Sequence, residues 1–146
     1  MNRITLNQAN RIIEAALAEG RRLQLAPLCV AVLDAGGHLL ALQRDERASL
    51  LRPQIATGKA AGVLGMGFGG RELARRAANM PAFFNALSDL AGGQMVPVPG
   101  GVLIRDADGE ILGAVGITGD TSDNDELCAI AGVRAVDLAP DTGAAE

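Results

Sequence analysis

The chain has 146 residues, enough for one domain built around a single core. Hydrophobic residues make up 49% of it, which argues for a buried globule and against a disordered chain. Aromatics are only 2% and the net charge is −4, so the stacking platform and the positive surface that nucleic-acid binding needs are both missing.

Met1-Asn2-Arg3 leads straight into an amphipathic segment, with no apolar core of a secretory leader. No apolar run approaches the roughly 18–20 residues of a membrane span. The expectation is a soluble, cytoplasmic protein. Thr5 and Gln8 read as a capping box, and Ala9, Ile12, Ile13, Ala16 and Leu17 follow on one helical face that Gly20 should end. Leu28 to Leu33 and His38 to Leu42 are short apolar runs around Asp34-Ala35-Gly36-Gly37, which predicts a β-hairpin. Helical spacing returns from Leu50 to Leu64, breaks at Gly65 to Gly70, and resumes from Arg71 to Met80. Pro81 opens a further helix through Leu90, closed by Gly92-Gly93. Val102–Ile104 and Ile111–Ile117 flank Asp106-Ala107-Asp108-Gly109, a second hairpin. Thr121 caps a last helix expected to reach about Leu138. The order helix, hairpin, helices, hairpin, helix predicts an α/β fold of the α+β type, an antiparallel sheet covered by helices. Residues 1–140 should form the domain and residues 141–146 a flexible polar tail.

Several residues carry candidate chemistry. Gly65-Met66-Gly67-Phe68-Gly69-Gly70 matches a dinucleotide fingerprint by letter, but a helical segment precedes it where a strand is required. It therefore reads as a helix-ending turn. Cys29 and Cys128 sit among apolar residues and read as buried free thiols. His38, the only histidine, excludes a multi-histidine metal site in one chain. It is an exposed strand residue, a single axial ligand to haem, or a contributor to a subunit-interface site. Lys59 lies in a small, apolar helical stretch, where it either snorkels to water or meets an acidic partner in a cavity. Asp123, Asp125 and Glu126 lack the ligand-rich loop of a calcium site and suit a helix N-terminus. Gly113, Gly116 and Gly119 on one strand mark a place where a backbone or a ligand comes close.

Taken in order, Val32-Leu33-Asp34-Ala35-Gly36-Gly37-His38-Leu39, Ile55-Ala56-Thr57-Gly58-Lys59-Ala60, Pro81-Ala82-Phe83-Phe84, Gly100 to Ile104 and Gly113 to Gly119 resemble the GlcG/HbpS-like family. This is the haem-binding-like domain also found at the C-terminus of some corrinoid adenosyltransferases. The resemblance runs from about Thr5 to Val136. It implies a three-layer α/β/α sandwich with about five antiparallel strands, and assembly into homo-oligomers. Some members are similar to extracellular haem sensors, and others are encoded with small-molecule catabolic pathways.

Two functional classes follow. The first is a small-molecule-binding module that holds haem or another tetrapyrrole at a subunit interface, with His38, Lys59, Gly100, Gly101, Gly116, Gly119 and Thr121 around the ligand. The second is an enzyme of small-molecule catabolism that needs no cofactor, an isomerase, tautomerase or hydrolase of a carbonyl or carboxylate metabolite. There Lys59, Asp34, Asp125 and Glu126 would be the catalytic groups, and backbone N–H groups near Gly100, Gly101 or Gly116 would hold an oxyanion. Neither class demands a metal site built by the protein. The pocket of the enzyme would lie between Lys59 and the glycine strand Gly113–Gly119, and the Asp34–His38 turn is expected to stand beside it.

Overall fold

The computed structural model describes residues 3–145. Helix α1 (Leu6–Arg22) starts at the Thr5 capping box, in which the Gln8 N–H donates to Thr5 and the Gln8 side chain accepts from the Thr5 N–H. The helix does not stop at Gly20, which lies inside it. Glycine is needed there for packing: a Cβ would stand 2.7 Å from Leu28 Cδ1. Strands β1 (Cys29–Asp34) and β2 (Leu39–Arg44) form the first hairpin. Helices α2 (Arg52–Met66), α3 (Gly70–Asn79) and α4 (Pro81–Leu90) follow, then the second hairpin of β3 (Gly101–Arg105) and β4 (Ile111–Thr118). Helix α5 (Ser122–Arg134) is a turn shorter than expected, because the chain leaves it at Ala135 and reaches a positive φ at Asp137.

The residues after that turn form β5 (Ala139–Asp141), which pairs with β3. Part of the expected tail is thus bound to the sheet edge. Asp141 accepts from Arg105 at 2.9 Å, and the Arg71 N–H donates to the Thr142 carbonyl at 3.0 Å. Three residues including a proline carry no alternating pattern, and a proline fits only an edge position, so nothing local announced this strand.

The strands run β2-β1-β4-β3-β5, each antiparallel to its neighbours. Helices α1 and α5 cover one face, and Val30, Val32, Val115 and Ile117 pack against Ile12, Ile13 and Ala129 there. On the opposite face Cys29, Ala31, Leu33, Ala114 and Leu103 meet α2, with Leu73 and Phe84 completing the core from α3 and α4. Alternation along each strand produces the two faces. The result is the three-layer α/β/α sandwich around a five-stranded antiparallel sheet.

The face under α2 is built from small residues, and this decides where α2 sits. Gly101 and Gly116 are directly paired across β3 and β4. A Cβ on Gly116 would lie 2.0 Å from the Ala56 carbonyl oxygen, and one on Gly101 would lie 2.6 Å from that of Lys59. The helix backbone rests on the sheet backbone, and it fills the space beside these glycines.

Candidate functional site

The residues expected to share one pocket fall into two groups at opposite ends of the β1–β4 ladder. Asp34 pairs with Gly113, whereas the Lys59 ammonium reaches the carbonyl of Ile117. Four residues of strand separate those positions, about 13 Å at the usual rise.

The first group is a buried polar cluster joining the two helical layers. Lys59 leaves α2 beside Gly100, where a Cβ would come within 2.8 Å of Nζ. Nζ donates to the Ile117 carbonyl at 2.8 Å and to Asp125 Oδ2 on α5 at 3.3 Å. Lys59 is 3% exposed and Asp125 1%. Burial pushes the Lys59 pKa below its ordinary value and that of Asp125 above its own, and the attraction between the two charges opposes both shifts. The second Asp125 oxygen accepts from the Asp120 N–H at 3.0 Å. Glu126 is held by Arg71, whose Nε and Nη2 donate to its two oxygens, and the same Nη2 donates to Asp123 at 2.8 Å. Thr118 accepts from Arg52 at 2.7 Å. Thr121 is the N-cap of α5 and accepts from the Asn124 N–H, and Gly119 packs against the backbone at Pro27.

Every acidic side chain in the first turns of α5 therefore has a cation supplied by the opposite layer. Arg71 and Arg52 are the partners that sequence reasoning missed, since they lie 55 and 66 residues from the groups they bind. Among the described residues no buried side-chain nitrogen or oxygen lacks a partner. With Lys59 committed to Asp125, and Gly100, Gly101 and Gly116 covered by α2, this region is a packed joint between layers.

The second group lies at the β1–β2 turn. Asp34 ends β1, and its Oδ1 accepts from the Gly36 N–H at 2.9 Å and the His38 N–H at 3.0 Å. These bonds, the His38 one first, hold the Asp34 carboxyl below its ordinary pKa. Gly37 takes φ +84°, a conformation that glycine adopts without cost. The His38 side chain is 81% exposed, and its Nδ1 lies 3.3 Å from the same Asp34 oxygen. A cavity of about 350 Å³ opens beside the turn, with Ile4, Leu40 and Leu112 on its apolar side and Arg3, Asp34 and His38 on its polar side. A second cavity of about 260 Å³ borders the turn from the α2 side, lined by Ala35, Gly36, Gly37, Ala61, Leu64 and Gly65. One imidazole, a carboxylate, an arginine and aliphatic side chains thus line the same opening. Another cavity of about 350 Å³ lies away from this turn, between Phe68, Glu72, Arg75, Arg105 and Asp141.

Both thiols are buried, and burial raises the Cys29 pKa to about 11 and that of Cys128 to about 12, which keeps them protonated and unreactive. No helix among the described residues is long and apolar enough to cross a membrane.

Comparison with known proteins agrees with this architecture. A 15.0 kDa protein from the dhaT-dhaS intergenic region of Citrobacter freundii is 28% identical over 126 residues, 86% of this chain and 87% of that protein. The crystal structure of a PduOC–haem complex superposes with a TM-score of 0.83 at 24% identity, covering 94% of this chain and 98% of the other. A double mutant of Streptomyces reticuli HbpS superposes with a TM-score of 0.80 at 26% identity, covering 93% and 88%. The model of the family described as haem degrading protein HbpS-like matches residues 4–134. The chain belongs to the HbpS-like family.

Proposed function

We propose that this protein binds haem, or a closely similar metallated tetrapyrrole, at the β1–β2 turn with His38 presented to the metal. The observation that carries the reading is the state of His38. It is exposed, its Nδ1 is turned toward Asp34, and Nε2 is left for an incoming ligand at the edge of an aliphatic cavity. Ile4, Leu40 and Leu112 offer apolar surface to a macrocycle, and Arg3 brings positive charge to a rim where carboxylates would lie. The family's description supports the choice of ligand, and so does the likeness to HbpS. When bound, the haem supplies an iron centre whose properties the protein sets through the axial ligand and its surroundings. His38 would hold that iron, Asp34 would hold His38, and the aliphatic wall would keep water from one face.

Assembly into a homo-oligomer is part of the same reading. Leu39, beside His38, is half exposed, and Leu50, Leu51, Phe83 and Leu90 also stand in solvent on a single protomer. A catalytic alternative built on Lys59 gains nothing from the geometry, because that side chain already has its partners.

Titration with haem tests the reading. The account expects a shifted Soret band that saturates at micromolar protein, with His38→Ala losing it or weakening binding at least tenfold. A wild-type titration without spectral change would remove the proposal.

A further inference from the structure

Resting on the haem reading, the geometry points to Asp34 and Gly36 as positioning residues that fix the tautomer and orientation of His38. The turn is closed onto Asp34 from several directions. Its N–H donates to the His38 carbonyl at 2.9 Å, and its own carbonyl accepts from the Gly37 N–H at 3.0 Å. Its Oδ1 takes the Gly36 and His38 N–H groups and is also the oxygen nearest the imidazole. Because Asp34 is paired with Gly113 in the middle of the sheet, that oxygen has a fixed place on a rigid element. The ring in turn lies against Gly36: a Cβ there would stand 3.0 Å from both Nδ1 and Cε1 of His38. Glycine at 36 lets the imidazole fold down onto the turn, within reach of the carboxylate.

The chemistry of this arrangement is specific. A carboxylate beside Nδ1 favours the tautomer with the proton on Nδ1, and leaves the Nε2 lone pair for a metal. Loss of such a partner weakens metal binding by about 10–100-fold in characterised sites. Asp34 therefore serves the ligand through His38 and does not itself touch it.

The test uses the full chain without ligand first. Its single histidine makes the imidazole ¹⁵N signals unambiguous, and they report the tautomer directly in solution well above the ordinary histidine titration range. The expected result is a majority of Nδ1–H in the wild type. Asp34→Asn keeps an acceptor for the turn amides but loses the charge, and Gly36→Ala pushes the ring away while keeping the carboxylate. Each should lower the Nδ1–H fraction while the amide signals of β1 and β2 stay in place. In haem titrations each should weaken binding about tenfold, less than His38→Ala does. A wild-type majority of Nε2–H, or a tautomer ratio unmoved by both substitutions, would overturn the positioning role even if haem binds. Failure of haem to bind a protein with the expected tautomer would instead overturn the haem reading alone.

Discussion

Lys59 and His38 show how differently two candidate residues can be used. Lys59 joins α2 to α5 through Asp125 in a place from which water is excluded. Removing one member of such a pair leaves an uncompensated buried charge, at a cost of about 3–5 kcal/mol. Lys59→Met should lower the unfolding free energy by that amount in urea, and adding Asp125→Asn should restore part of it, because no lone charge is left and Asp120 keeps its acceptor. Haem affinity of Lys59→Met, measured while the protein is folded, should stay within twofold of wild type. A large loss would bring Lys59 back as a ligand-binding group. The two residues were equally visible in the sequence. Their roles diverge because the partner of His38 lies four positions away in the same turn, whereas that of Lys59 lies 66 positions away on another layer. Local chemistry could be read along the chain, and a contact that exists only after α2 and α5 pack on opposite faces could not.

Among the elements, α2 carries the most information about how the fold is held. Its backbone lies on the Gly101–Gly116 pair, so the glycines are the seat of a helix. Gly116→Ala forces a Cβ into the Ala56 carbonyl and should destabilise the protein by about 1–3 kcal/mol or more, by overpacking. Gly65→Ala, late in the same helix and facing open space, is the control. It should leave thermal stability unchanged or raise it by up to about 1 kcal/mol. A Gly116→Ala protein as stable as wild type would contradict the backbone contact. The strand glycines stood out as a sign of close approach, but a ligand and a helix require the same absence of a side chain. The capping box of α1, both hairpins and the helix breaks at Gly67 and Pro81 were legible because each depends on a few neighbouring residues. Strand β5 was not, since it exists only where β3 offers it an edge.

The whole molecule is a sheet between two helical layers, with its buried charges at one end and its open, histidine-bearing turn at the other. The Lys59–Asp125 and Arg71–Glu126 contacts close one end, and the proposed ligand site at the Asp34–His38 turn lies at the other. Exposed leucines and Phe83 further lead the account to expect self-association, so sedimentation velocity should give a mass that is a multiple of 14.9 kDa. A protein that stays monomeric at tens of micromolar would contradict that expectation. The central claim, that His38 presents its imidazole to a haem, is tested most directly by parallel haem titrations of wild type and His38→Ala followed at the Soret band. The account predicts a saturable shift in the wild type that His38→Ala loses or reaches only at haem concentrations at least tenfold higher. Identical curves for the two proteins, or no shift in either, would contradict it.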